Sequence, residues 1–364
     1  MATRQRRRRW LWPVRALAAL LAVVVGWVTV AAVVYSPEYV RRVLAWRESD
    51  LTDYVERFPV RDLTASATPT VLVSEPNDAA VTAAFEEALA VPDLEEFLAD
   101  SGTQSLIVIE DGAVTYERYA NGAARDSMFT SFSVAKSVAS LLVGIAIDEG
   151  LIASVDDPIT AYLPELAARD QAFEAITIRH LLLMSSGLDY TETRWAIFNG
   201  DDVLTTYYPD QRALALEHPR VVGPPGAVFD YNKLHPQLLG LILERVSGMS
   251  VTAYLQSRLW EPLGMEYDGG WALDSDESGF EKMEAGLNAR AIDFAKFGVL
   301  VQREGEWGGR QVVSADWIRE STGPSTATLR PERYVDDFGR LIHDGGRGYY
   351  ALMWYGRLRG EGQP

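Results

Sequence analysis

Along the chain, the first strong feature is a stretch in which apolar residues do not alternate with polar ones at all. Ala16 to Tyr35 carries no charge and, at about twenty residues, is long enough for a helix to cross the hydrocarbon core of a bilayer. Residues 36–93 are mixed. Tyr39 to Val55 reads as helical, Thr64 to Thr70 as an extended Thr/Ala/Ser/Pro-rich segment, and Asp78 to Ala90 as a helix. Gln104 to Glu110 (QSLIVIE) and Ala113 to Tyr119 (AVTYERY) are β-type runs parted by Asp111-Gly112. Asp-Gly is favoured there because a type I′ hairpin turn needs positive φ at both central residues. From Phe132 to Gly150, the residues Val134, Val138, Leu141, Leu142 and Ile145 recur at helical spacing. The long middle, Leu151 to Thr322, reads as mostly helical, punctuated by Gly and Pro. Within it, Thr177 caps a short helix that stops at Gly187. Another helix runs from about Leu234, with Pro236 in its first turn, to Ser247 and Gly248, and Ser250 caps a third that reaches about Trp260.

The helix after Phe132 begins with chemistry. Ser133 and Lys136 are three residues apart, and residues so spaced lie one above the other on a helix face, so hydroxyl and amine can meet. A serine becomes a nucleophile only when a neighbour takes its proton. Burial and the positive end of the helix both disfavour an ammonium, which would poise Lys136 as a base. The Ser133 N–H, a first-turn donor, could face a developing oxyanion. The pattern alone is weak. With 22 serines and four lysines in 364 residues, about a quarter of one Ser-x-x-Lys match is expected by chance. The plain alternative is a Ser cap with a solvated lysine one turn later.

Composition narrows the field. The chain is long enough for a well-buried core and for one large domain with subdivisions. It has no cysteine, which excludes disulfides, thiolate metal sites and a cysteine nucleophile. Formal net charge is −17. Arg4, Arg6, Arg7, Arg8, Arg9 and Arg15 all precede the first acidic residue, Glu38, so the remainder carries −17 − 6 = −23. A body this acidic argues against a nucleic-acid partner. The Arg cluster before the apolar run places residues 1–15 in the cytoplasm as a basic tail and everything after Tyr35 outside. The run is longer than a usual signal-peptide core and lacks a clear small-x-small cleavage site before Ser36, so an uncleaved anchor over 16–35 is the expectation.

Other constellations offer less. His180, His218, His235 and His343 are scattered without metal-ligand spacing, there is no Gly-x-Ser-x-Gly elbow, and no glycine loop suits phosphate. Asp274, Asp276 and Glu277 read as a solvated loop. Tyr190, Trp195, Tyr207 and Tyr208 suit either a loop over a pocket or core positions. No metal or cofactor is called for.

Four blocks in order resemble one family. They are Ser133-Val-Ala-Lys136, RHLLLMSSGLDY at Arg179 to Tyr190, PGAVFDYN at Pro225 to Asn232 with its LLGLILERVSG helix, and GFEKMEAGLNARAIDFAKFG at Gly279 to Gly298. Together they resemble the serine hydrolases related to class C β-lactamases and D,D-peptidases, a group that includes esterases and a nylon-oligomer hydrolase. The resemblance spans roughly Gln104 to Tyr355. It implies an α/β (α+β) fold of the β-lactamase/transpeptidase type, an antiparallel sheet flanked by helices beside a mostly helical region. It also implies a Ser133 acyl-enzyme with Lys136 as base partner and Tyr231 as the residue that takes and returns the proton, and it makes Asn232 and Lys233 the candidate substrate contacts.

The sequence departs from the family in two places. The family has Asn or Ser two residues after its tyrosine, where this chain has Lys233 with Asn232 one step early. Lys233 is either a second cation beside the phenol or a solvated helix-start residue, and a classical β-lactamase activity is less expected. The family's Lys/His-Thr-Gly strand should follow an aromatic strand like Gly348 to Tyr355 (GYYALMWY), but no such triplet precedes Pro364. On this reading the C-terminal strands are missing.

The expected layout is then a tail (1–15), an anchor (16–35), a juxtamembrane connector (36–93) and a serine hydrolase domain (94–364). The expected activity is cleavage of an amide or ester in a small molecule or peptide, outside a membrane that holds the protein by one helix. The alternatives are a non-catalytic penicillin-binding-like sensor and a structural envelope protein with a vestigial site. The scaffold alone does not choose the substrate.

Overall fold

The structure is a computed structural model, and it describes residues 2–46, 54–191, 197–324 and 348–358. The chain divides into two compact units. One comprises residues 1–51 and 191–209, and the other 52–190 and 210–364.

In the larger unit the expected hairpin is present. Strand β3 (Ser105–Glu110) pairs antiparallel with β4 (Ala113–Tyr119), with a register shift between Val108 and Ile109. Asp111 (φ 49°) and Gly112 (φ 84°) supply the two left-handed residues of the turn. The short strand β2 (Val73–Ser74) adds to β4 in parallel, giving the order β2-β4-β3. A second sheet has the order β1-β6-β7-β5, from β1 (Val60–Leu63), β5 (Phe129–Thr130), β6 (Gly269–Ala272) and β7 (Leu287–Ala289), all pairs antiparallel. Residues 60–63, inside the stretch read as a connector, thus form an edge of this sheet. Strands β8 (Glu306–Trp307) and β9 (Arg310–Gln311) make a small hairpin, and β10 (Gly348–Ala351) pairs with β11 (Trp354–Arg357).

The helix Val134–Asp148 leaves β5 and runs through the core, with Val138, Leu141, Leu142, Val143 and Ile145 all buried. Its apolar residues wrap its whole circumference because protein covers it on several sides. The helix Leu234–Ser247 packs against it and ends at Gly248, whose φ of 67° is the left-handed cap expected from the sequence. The helix Ala315–Thr322 approaches so closely that a Cβ on Gly144 would overlap the Trp317 indole. The indole Nε1 donates to Ser140 O at 3.0 Å. Ser250 caps Val251–Leu255 through Ala253 N, and the chain continues as a wider π-type turn over Gln256–Trp260.

The smaller unit contains the helix Ala2–Val34, the helix Pro37–Trp46 and the helix Asp201–Tyr207. Pro13–Val34 is long and apolar enough to cross a membrane and is largely exposed. Ser36 Oγ accepts from Tyr39 N at 3.0 Å, which restarts the chain as a helix after the bend. Glu38 accepts from Arg41 and Arg42. The hydrogen bond from Arg41 is the main cause that holds the Glu38 carboxyl below the usual range.

Candidate active site

Ser133 stands at the N-cap of the helix Val134–Asp148, yet its side chain makes no capping hydrogen bond. Its backbone is already helical (φ −66°, ψ −7°) because Phe132, in the left-handed region at φ 42°, turns the chain sharply out of β5. A non-glycine residue held there costs about 1 kcal/mol or more and persists only where its surroundings fix it. Here they do: Ser131 N donates to Leu287 O at 2.7 Å and Ala135 N to Phe132 O at 3.1 Å. The hydroxyl of Ser133 is left at an exposed position with no backbone duty.

Lys136 is buried, 1% exposed, and its Nζ donates to Ser133 Oγ at 3.0 Å and to Glu284 O at 2.8 Å. The same nitrogen lies 5.0 Å from the centroid of the Tyr231 ring. The i, i+3 contact expected from spacing is therefore made, and a solvated lysine is not what the fold builds.

Tyr231 arrives on the loop that follows Gly223 to Gly226. Gly226 N donates to Ser185 O at 2.6 Å and Asp230 N to Met184 O at 2.7 Å, so residues 184–185 hold both ends of that loop. The helix expected to stop at Gly187 spans Ile178–Leu182, and Met184 is the first left-handed residue after it (φ 53°). Gly187 (φ 73°) has a different task, since a Cβ there would strike Gly223 O. Beneath the loop, His235 Nε2 meets Ser186 Oγ at 2.6 Å and its Nδ1 meets Met184 Sδ at 3.0 Å. Burial pushes the His235 pKa down to about 3, so the ring is neutral near pH 7. His180 closes a capping box with Thr177. Both histidines are structural.

Tyr231 packs between Tyr350 (6.3 Å, edge-on) and Tyr355 (6.4 Å, stacked). Asn232 is fully buried. Its Oδ1 accepts from Leu234 N at 2.8 Å while its Nδ2 has no hydrogen-bond partner among the described residues. Lys233 is half-buried at the start of the helix Leu234–Ser247. Its charge is one of the influences on Lys282, whose pKa is lowered first of all by burial.

Some of the surroundings were not visible in the sequence. Lys282 Nζ sits 2.8 Å from Glu284 Oε1 with both side chains buried, and the Phe58 ring lies 4.4 Å from the same nitrogen. The pair flanks the Glu284 carbonyl that accepts from Lys136. The signal was present in Glu281-Lys282-Met283-Glu284, charges set among Phe280, Met283 and Leu287, but it also fits a surface loop. A second surprise is the β10–β11 turn, where Leu352 (φ 31°) and Met353 (φ 75°) take left-handed angles with no glycine. Ser137 Oγ donating to Met353 O at 2.8 Å and Met353 N donating to Leu182 O at 2.9 Å hold it in place. Asp274, read as solvated, is buried and accepts from Gln211 N and Phe280 N, while Asp276 and Glu277 are exposed. Among the described residues no cluster of His, Asp or Glu is arranged to hold a metal. Trp195 and His343 lie outside the described residues. Tyr190 belongs to the larger unit, and Tyr207 and Tyr208 to the smaller.

The site thus brings together a serine, a buried lysine that touches it and a tyrosine beside the lysine. The Beta-lactamase family model matches residues 94–359, and the chain belongs to that family. A 6-aminohexanoate-dimer hydrolase of Paenarthrobacter ureafaciens is 29% identical over 315 residues, which cover 80% of this chain and 76% of that protein. Esterase EstB of Burkholderia gladioli is 30% identical over 177 residues, 44% of each chain. The fold matches a solved Bacillus anthracis protein assigned as a 6-aminohexanoate-dimer hydrolase at a TM-score of 0.67 and 21% identity, covering 85% of this chain and 80% of that one. It also matches a penicillin binding protein from Bacillus halodurans at a TM-score of 0.53 and 16% identity, covering 73% and 84%.

Proposed function

We propose that this chain cleaves an amide or ester through a Ser133 acyl-enzyme, and that residues 13–34 anchor it in a membrane with the hydrolase on the outer side. The observation that carries the catalytic part is the single nitrogen, Lys136 Nζ, placed 3.0 Å from Ser133 Oγ and 5.0 Å from the Tyr231 ring centroid. As Ser133 Oγ attacks the substrate carbonyl, its proton passes to the Lys136/Tyr231 pair. The oxyanion accepts from the Ser133 N–H at the helix start. The pair returns the proton to the leaving amine or alcohol, and the acyl group stays on Oγ. A water then repeats the sequence, losing its proton to the pair and releasing the acid, while Oγ regains a proton. Asn232, whose buried amide nitrogen has no partner among the described residues, and Lys233 are the candidate substrate contacts.

Two related proteins are named as a 6-aminohexanoate-dimer hydrolase and an esterase, so the 6-aminohexanoate dimer and short p-nitrophenyl esters are the first substrates to test. The test pairs intact-mass analysis after a fluorophosphonate probe with ester turnover, on the wild type and on Ser133→Ala. One adduct and multiple turnovers in the wild type, with neither in a folded Ser133→Ala protein, is the expected result. Turnover retained in the variant sinks the proposal. An adduct without turnover would instead favour the sensor reading.

A further inference from the structure

We infer that residues 197–207 form a second membrane contact, seated in the headgroup-to-acyl boundary of the same bilayer that the N-terminal helix enters. The inference rests on reading residues 13–34 as a bilayer span, and it adds a membrane-facing surface formed by chain far away in sequence.

The argument begins at Trp27. Its ring is 4.7 Å from that of Phe198, 171 positions later. Trp27 precedes Val34 by seven residues, so it lies about 10 Å of helix length before the end of the span. If 13–34 crosses a bilayer, whatever packs on Trp27 sits at the depth of the outer part of that span and not above it. Trp, Tyr and other aromatic side chains favour this level, where an apolar ring and a polar edge can both be satisfied.

The surrounding residues fit that depth. Tyr39 OH donates to Phe198 O at 2.8 Å, and the Tyr39 ring packs edge-on against Tyr208 at 5.8 Å. Phe198 in this cluster and Ala31, one turn after Trp27, are buried, while Ile197 and Trp27 remain 38% and 45% exposed. Exposed apolar side chains next to a membrane-spanning helix have lipid as their natural cover. Irregular backbone at that depth must find its hydrogen-bond partners within the protein. Besides Phe198 O, the Asp201 carboxylate accepts from Thr191 N, and Thr205 and Thr206 hydroxyls bond to Asp201 O and Asp202 O. Further out, Arg41 and Arg42 flank Trp46 within cation–π distance, at 5.2 and 5.7 Å, which suits the charged headgroup layer.

The lack of cysteine gives a direct experiment on the full chain. Single-cysteine variants Val23→Cys, Ile197→Cys and Asp276→Cys are labelled with an environment-sensitive nitrobenzoxadiazole dye. They are then reconstituted into phosphatidylcholine vesicles with or without doxyl-labelled phosphatidylcholine. Ester hydrolysis by each variant shows that it is folded. The expected result is about a twofold loss of emission with doxyl lipid at positions 23 and 197 and none at 276, the depth profile of an interfacial segment beside a span. Quenching at 23 but not at 197 overturns the inference and leaves the anchor standing. No quenching at 23 removes the anchor reading itself, and the inference with it. Quenching at 276 as strong as at 197 also overturns it, because position 197 would then show no special proximity to lipid.

Discussion

At the scale of single residues, the site depends on keeping one lysine in place under a serine. Lys136 Nζ is held from below by the Glu284 carbonyl at 2.8 Å, so its position follows from the backbone of 282–286 as much as from the helix. Lys136→Met should leave the fold intact and reduce ester turnover by about a hundredfold or more, the usual scale for a lost proton-transfer group, measured as kcat/KM beside a thermal melt. Breaking the buried Lys282–Glu284 pair from one side leaves a desolvated charge, which costs about 3–5 kcal/mol. Lys282→Met should therefore lower the urea midpoint strongly, whereas the exposed Glu277→Gln should not.

His235 gives a pH signature at the same scale. Its pKa is lowered to about 3 in the fold by burial against an ordinary value of 6.5, so between these values the unfolded chain binds a proton that the native chain refuses. Its contribution is fully present above pH 6.5 and is lost as pH falls towards 3. This one group makes the unfolding free energy drop by about 1.4 kcal/mol per pH unit in that window. Urea titrations from pH 7 to pH 4 should show that slope, and His235→Asn should show a shallower one. Equal slopes in both proteins would mean that the buried imidazole is not responsible.

At the scale of elements, two of the helical glycines, Gly144 and Gly298, test which helix faces are packed. A side chain at Gly144 would overlap Trp317, while a Cβ on Gly298 would meet nothing within 4 Å. Gly144→Val should destabilise by about 3 kcal/mol, whereas Gly298→Ala should stabilise by roughly 0.5–1 kcal/mol by lowering the entropy of the unfolded chain. Differential scanning calorimetry of the pair gives the signs. Elements of this kind were readable from the sequence where the signal is local. The Asp111-Gly112 turn, the helix ending at Gly248 and the Ser250 cap depend on residues close together in the chain. The β10–β11 turn was not readable, because Leu352 and Met353 take left-handed angles only while Ser137 and Leu182 hold them. The same applies to Met184, which takes the left-handed position that the sequence suggested for Gly187.

For the molecule as a whole, the proposed anchor is the feature with a cellular consequence. A helix over Pro13–Val34, about 33 Å long, matches the hydrocarbon thickness and carries only Arg15 as a charge. The full chain expressed in a bacterial host should stay in the membrane pellet after alkaline carbonate extraction, and its mass should include the helix. A soluble product beginning after Tyr35 would identify the helix as a cleaved leader.

The local elements, and the pairing of Ser133 with Lys136 on which the proposed chemistry rests, were legible from residues close together in the chain. Ser133 and Lys136 must share a helix face because of the 3.6-residue period, Tyr231 follows a turn that Gly223 to Gly226 make unavoidable, and the family resemblance rests on these blocks. What surrounds them was fixed by contacts that exist only once the chain has folded. Folding set the Glu284 carbonyl under Lys136, buried Lys282 with Glu284, buried Asp274 but neither Asp276 nor Glu277, placed Tyr350 edge-on and Tyr355 stacked against Tyr231, and laid Phe198 against Trp27. Each of these joins residues far apart in the chain. Local propensity carries no term for such contacts, and whether a charge in an apolar stretch is solvated or paired is fixed only when the chain closes around it.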